Sequence, residues 1–172
     1  CAGQRCMAAS VLLAVGDAQH IIDGIQAKSA ALVTGHDMGP VTNPAAVERI
    51  TRYITQAEAM GAKILVDGRG KQGNEGGYWV GPTVMDHVSP TMPAGCEEIF
   101  GPVLSIVRVP NLETALRIEN DNPYGNASSV YTTSGDVARR CMAQADAGMC
   151  GVNVGVPVPR EPFGFGGWND SK

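Results

Sequence analysis

Apolar positions along this chain follow two spacings, short unbroken runs and stripes at three- and four-residue steps, and the two take turns. Ser10-Val11-Leu12-Leu13-Ala14-Val15 is a run of the first kind and predicts a buried strand, with Asp17 placed to cap the helix after it. On that helix Ala18, Ile21, Ile22 and Ile25 make one apolar stripe. Asn43-Pro44 is a helix start: an Asn cap, then Pro at the first helical position, where a missing N–H costs nothing. Val47, Ile50, Ile54 and Ala57 continue that helix, and Gly61 is placed to end it. A strand is predicted over 63–67, then a Gly-rich loop, then a segment at Tyr78-Trp79-Val80 that Pro82 confines to a sheet edge.

Val103-Leu104-Ser105-Ile106-Val107-Arg108-Val109 is the clearest strand. A helix capped by Asn111 follows, then a strand over 128–132 and a helix capped by Ser134 that buries Val137, Ala138, Cys141, Met142 and Ala145. The last predicted strand covers 150–154. Strands and helices in alternation predict an α/β fold, a mostly parallel sheet with helices on both faces. With no repeat and no linker, the reading is one domain over 1–172, a length that buries about two thirds of the unfolded surface.

Composition narrows the function classes. A net charge of −4 without long runs of either sign lacks the basic footprint of a nucleic-acid binder. No apolar stretch has the length of a membrane span. The five cysteines, Cys1, Cys6, Cys96, Cys141 and Cys150, are odd in number and lack a framework spacing, which suits a reducing compartment. His20, His36 and His87 lie far from one another and from any cysteine pair, so no metal site is expected. The first residue is Cys rather than Met, and the chain is expected to be a piece of a longer protein.

Candidate chemistry starts at Gly3-Gln4-Arg5-Cys6. A thiol beside a permanent cation is a candidate nucleophile, because positive charge favours the thiolate, the attacking form. Cys141 on a helix stripe and Cys150 at the head of a strand read as small core residues, and Cys96 precedes two acids that disfavour its thiolate. Gly68-Arg69-Gly70-Lys71-Gln72-Gly73 matches G-x-G-x-x-G, but no helix opens after it to hold a pyrophosphate. It reads as a surface loop. Glu97-Glu98-Ile99-Phe100-Gly101-Pro102-Val103 is either a solvated loop edge or a ligand loop at a strand end, where a carboxylate can accept ribose hydroxyls and an aromatic can lie against a flat ring. Phe163-Gly164-Phe165-Gly166-Gly167-Trp168 is either a packed corner or a hinged loop shaping a substrate entrance.

Taken in order, Gly3-Gln4-Arg5-Cys6, the Glu97-to-Val103 motif, Asn122-Pro123-Tyr124-Gly125 and Gly151-Val152-Asn153 resemble the catalytic domain of the aldehyde dehydrogenase superfamily over the whole chain. Arg5 before the cysteine, Met38-Gly39-Pro40-Val41 and the segment Val152-Asn153-Val154-Gly155-Val156-Pro157-Val158-Pro159 resemble its CoA-acylating branch, whose substrates are methylmalonate and malonate semialdehyde. The resemblance implies that Cys6 attacks the aldehyde, hydride passes to NAD, and coenzyme A takes the acyl group as propionyl-CoA or acetyl-CoA with loss of carbon dioxide. It implies Arg5 as a substrate-binding residue, beside which Phe165 of the aromatic-glycine loop is the candidate at the substrate entrance, and Glu98 and Phe100 as cofactor-binding residues for the nicotinamide ribose and ring. A guanidinium suits a carboxylate in a bidentate grip, which agrees with the residue-level reading.

By the same resemblance, an NAD-binding Rossmann domain, the side-chain half of the oxyanion hole and a second substrate arginine are expected upstream of residue 1, and an oligomerisation strand beyond residue 172. The 172 residues by themselves are expected to lack turnover. The parent is expected to be a homo-oligomer, dimer or tetramer, in bacterial cytoplasm or the mitochondrial matrix. Two alternatives stand beside it: a hydrolytic NAD(P)-dependent aldehyde dehydrogenase releasing a free acid, and a folded module without catalysis.

Overall fold

A computed structural model describes residues 1–74 and 76–171. The chain resolves into two compact units, one of Cys1–Arg5 with Ala9–Arg108, the other of Cys6–Ala8 with the chain from Val109 onward. The sequence offers no linker at this division because the exchanges are made inside continuous segments, between Arg5 and Cys6, between Ala8 and Ala9, and within a strand at Arg108–Val109.

In the first unit the elements are β1 (Val11–Val15), α1 (Gln19–Ala30), α2 (Pro44–Ala59), β2 (Lys63–Val66), β3 (Thr83–Asp86), α3 (Pro93–Cys96) and β4 (Val103–Val109, whose last residue is assigned to the second unit). The sheet order is β1-β4-β3-β2. β3 and β4 run parallel, Thr83 opposite Val103, while the edge strand β2 pairs antiparallel to β3. An antiparallel edge on a parallel centre is common in α/β sheets. The α/β expectation therefore holds, distributed over separate sheets. All four residues of β3 are buried, as are Ile106 and Val107 of β4. α1 packs on β2 and β3 and seats Ile22 with Ala14, Val84 and Ile106.

α2 forms as its sequence dictates. Asn43 Oδ1 accepts the Ala46 N–H at 2.8 Å, Ile50 and Ile54 are fully buried, and Gly61 lies beyond the end at φ 101°. Each such isoleucine contributes about 1.5–3 kcal/mol.

Local expectations in this unit need correction. α1 starts at Gln19 with Ala18 as cap and no side-chain cap bond, and Ile21 faces outward. Asp17 reaches the Gln19 N–H only at 3.5 Å, the far limit of a hydrogen bond. No strand forms at 78–80, where Tyr78 only bridges Val41. Instead β3 starts directly after Pro82 and is central, because a proline before the first ladder residue removes no ladder bond. The Gly-rich loop folds round Trp79: a side chain at Gly73 would meet its ring at 2.6 Å.

The second unit holds α4 (Leu112–Asn120), β5 (Tyr124–Gly125), β6 (Ala127–Val130), α5 (Gly135–Gln144), β7 (Met149–Val152) and β8 (Trp168–Asn169). β6 and β7 pair in parallel, Ala127 opposite Met149, and β5 pairs antiparallel with β8. Asn111 and Ser134 cap α4 and α5 as expected, accepting from Thr114 at 2.9 Å and Val137 at 3.3 Å. Met142 is exposed rather than buried, since α5 turns Cys141 inward.

Candidate active site

In the first unit three sequence motifs converge. Ala2 and Gly3 both have left-handed backbones, φ 48° and 67°, and the turn is closed by Gln4 N–H donating to the Cys1 carbonyl at 3.0 Å. The turn lays Gly3 against Gly101, where an added Cβ would stand 2.0 Å from the Gly101 carbonyl oxygen. Only glycine permits that approach. The Gln4 side chain accepts the Thr42 N–H at 2.9 Å and donates to the Pro40 carbonyl at 3.4 Å, which ties in the Met38–Val41 motif. Arg5 follows, exposed.

The strand-end loop 97–102 is braced from α2. Arg49 donates to the carbonyls of Ile99 at 3.3 Å and Phe100 at 3.4 Å, and Tyr53 donates its hydroxyl to Glu97 at 2.6 Å. That bond to a carboxylate raises the Tyr53 pKa. Ile99 is buried and anchors the loop, Gly101 rests on Ile50, and Phe100 is held at φ 56°. A left-handed backbone is unfavourable for a bulky residue and tends to occur where function needs it. Glu98 is exposed and, among the described residues, engaged by no donor. Glu97 is thus committed to bracing, and Glu98 stays available to a ligand. An unengaged carboxylate beside a fixed aromatic fits a ribose and a flat ring.

In the second unit Cys6 is exposed. Its carbonyl accepts from Asn126 Nδ2 at 2.9 Å, and the same nitrogen lies 3.2 Å from Met7 Sδ. Asn126, between β5 and β6, directly follows the Asn122–Gly125 motif. Sequence reasoning missed it, because a lone asparagine after a turn motif carries no signal of its own. Arg49 and Tyr53 were missed likewise, as polar residues on a helix read as solvated.

At the end of β6 and β7, Asn153 is left-handed (φ 54°) and its amide bonds the Thr132 N–H and carbonyl, both at 2.9 Å. Phe165 lies on the loop before β8 and is 58 % exposed, as is Phe163 at 76 %. Cys141 and Cys150 have thiols raised by burial first. Cys96 is raised mainly by burial and only secondarily by Glu97, a correction to the reading from its acidic neighbours alone. Among the described residues no group of three His, Cys, Asp or Glu side chains is placed to hold a metal ion, and no helix is long and apolar enough to cross a membrane. A shallow open groove of about 810 Å³ runs along the outer face of α2 between Val47 and Ala59 and includes none of the predicted site residues.

The elements define an α/β fold that carries an exposed cysteine, Cys6, in its first motif. Residues 1–172 match the family model described as aldehyde dehydrogenase family, and the chain belongs to that family. It is 46 % identical to a mitochondrial protein of Drosophila pseudoobscura, named probable methylmalonate-semialdehyde/malonate-semialdehyde dehydrogenase (acylating), over 99 % of this chain and 34 % of that one. The crystal structure of methylmalonate-semialdehyde dehydrogenase from Oceanimonas doudoroffii superposes with TM-score 0.94 at 39 % identity, covering 99 % of this chain and 37 % of that one. A Mycobacterium tuberculosis aldehyde dehydrogenase complexed with NAD+ gives TM-score 0.87 at 31 % identity, covering 99 % and 36 %. The chain thus spans about a third of the length of the relatives it matches.

Proposed function

We propose that this chain supplies the thiol half of the active site of an NAD-dependent, CoA-acylating dehydrogenase for methylmalonate or malonate semialdehyde. The observation that carries the reading is the adjacency of an exposed guanidinium, Arg5, and an exposed thiol, Cys6, at the family's cysteine motif. The acylating name of the Drosophila relative supports the choice of branch.

Cys6 Sγ, as thiolate, adds to the aldehyde carbon and forms a thiohemiacetal whose oxygen receives the developing charge. The Cys6 backbone N–H serves as one donor to that oxygen, a type of contact worth about 3 kcal/mol. Arg5 pairs with the substrate carboxylate and fixes the other end of the short molecule. Glu98 would hold the ribose hydroxyls and Phe100 would lie by the ring. NAD, when bound, supplies the hydride acceptor that converts the adduct to a thioester on Cys6. The thiol of coenzyme A then attacks the acyl carbon, and the Cys6 thiolate leaves, restored. The Cα–carboxylate bond breaks with release of carbon dioxide, the electron pair passes into the thioester as an enolate, and the α carbon takes a proton from water, so that the product is propionyl-CoA or acetyl-CoA. The 172 residues alone carry no NAD-dependent turnover on this reading, since the relatives are about three times as long.

The test uses the whole protein with malonate semialdehyde and NAD, with and without coenzyme A. Acyl-CoA as the product is expected; free acid formed equally well without coenzyme A would make the enzyme hydrolytic. Arg5→Leu should raise KM for the carboxylated aldehyde by about tenfold to a hundredfold and leave a neutral aldehyde nearly unaffected. Equal losses on both would refute Arg5 as the carboxylate's partner.

A further inference from the structure

We propose that Asn126 is a positioning residue for the Cys6 nucleophile, gripping the peptide after the thiol and fixing the direction from which sulfur attacks. The inference rests on Cys6 being that nucleophile. Asn126 is 120 residues away in sequence, yet its amide nitrogen donates to the Cys6 carbonyl at 2.9 Å and stands 3.2 Å from Met7 Sδ. Both neighbours are acceptors only in this geometry, so the amide must present its NH2 end. The reversed amide would set two oxygens against each other at the same distance.

The grip matters because of where the chain changes units. Cys6–Ala8 is a three-residue stretch of the second unit, flanked on both sides by residues of the first. Among the described residues, the hydrogen bonds made by 6–8 are the pair with Asn126. The carbonyl they hold fixes the plane of the Cys6–Met7 peptide and with it the Cα–Cβ direction of Cys6.

Asn126 is well suited to the task, since the chain on each side of it is pinned. Gly125 pairs with Trp168, donates to Ser171 Oγ at 3.2 Å and accepts from the Gly148 N–H at 3.0 Å. A Cβ on Gly125 would meet the Asp146 carbonyl oxygen at 2.3 Å, so the strand cannot shift toward that side. Ala127 opens the β6–β7 ladder opposite Met149. Preorganisation of this kind is what places a reacting atom within the narrow geometry that attack requires.

The experiment compares the whole protein with its Asn126→Leu and Asn126→Asp variants. Leucine removes the donors at similar volume, and aspartate keeps the shape while presenting only acceptors at neutral pH. Cys6 acylation by p-nitrophenyl acetate reads attack by sulfur without NAD or aldehyde, and labelling by iodoacetamide, mapped to Cys6, counts accessible thiol. Both variants should lose about tenfold in the acylation rate and in kcat for the semialdehyde, with KM and the labelled thiol within about twofold of the parent. A merely structural residue would alter the unfolding midpoint while acylation per folded molecule stayed constant. Acylation of the Asn126→Asp variant within about twofold of the parent, or a loss confined to KM, overturns the proposal. A parent protein that is acylated at Cys6 yet oxidises no semialdehyde overturns the proposed function instead and leaves the grip to be decided by acylation.

Discussion

The two units hold their site residues by different means. In the first, β3 is buried along its whole length and α2 sets Ile50 and Ile54 fully inside, so the loop with Glu98 and Phe100 stands on a packed base. In the second, every residue of β6 is only half-buried, and the buried apolar side chains are Val109, Ala115, Leu116, Cys141 and Met149. There the Cys6–Met7 segment, which bears the proposed nucleophile, accepts hydrogen bonds from one asparagine. Packing energy is spread over many contacts, whereas a single directional bond concentrates its effect on one group. Substitutions in the packed base of the first unit should therefore register as stability, and those around Cys6 as function.

The largest separation is expected at Cys6 itself. In the whole protein Cys6→Ala should lower semialdehyde oxidation by at least about a thousandfold, as loss of a covalent nucleophile does. Because the thiol is exposed, the unfolding midpoint should stay within about a degree of the parent. Steady-state assay and a thermal melt on the same preparation check both halves. A marked drop in the midpoint would show that Cys6 carries packing, and the contrast between the units would fail.

The second prediction concerns stability in the first unit. Asp86 is 2 % exposed and accepts from Arg108 Nε at 3.0 Å and Nη2 at 2.7 Å, while Gln19 Oε1 takes a further Arg108 proton at 2.7 Å. Burial pushes its carboxyl up, but Arg108 and the His87 backbone N–H pull it down further, so it ends below its usual value of 3.8. A carboxylate depressed in the folded state adds stability that is complete above about pH 4 and disappears as pH falls through the lower folded value. Asp86→Asn should cost about 2 kcal/mol at neutral pH, less than a fully buried pair because Arg108 is a third exposed. It should also flatten the acid limb of the stability curve. Urea titrations between pH 7 and 3 test the slope; an unchanged acid limb would remove Asp86 from the account. Activity per folded molecule should not change.

Helix starts were readable in the sequence because a cap is a local device: Asn43, Asn111 and Ser134 each bond a backbone N–H three residues on. The thiol motif and the Glu97-to-Val103 motif were readable too, since their chemistry lies in consecutive residues. What escaped was whatever depends on distant partners. β3 was hidden by Pro82, whose meaning depends on where the ladder starts. Asn126, Arg49 and Tyr53 act on residues 120, 50 and 44 positions away, distances at which no periodicity speaks.

The smallest expected effect is the most discriminating, because it sets two adjacent acids against each other. Tyr53→Phe removes a 2.6 Å bond to Glu97 at an exposed site and should cost under about 1 kcal/mol of stability. Its effect on KM for NAD should stay below about twofold, since Arg49 still holds the Ile99 and Phe100 carbonyls. Glu98→Gln touches no brace, yet it should raise that KM by about tenfold, the loss of charge-assisted bonds to a ribose. If both substitutions moved KM for NAD equally, the loop would be binding as a flexible whole, and the packed base would have lost its role in presenting Glu98. If only Glu98 mattered, the division of labour between neighbouring carboxylates would follow from which of them α2 has already engaged.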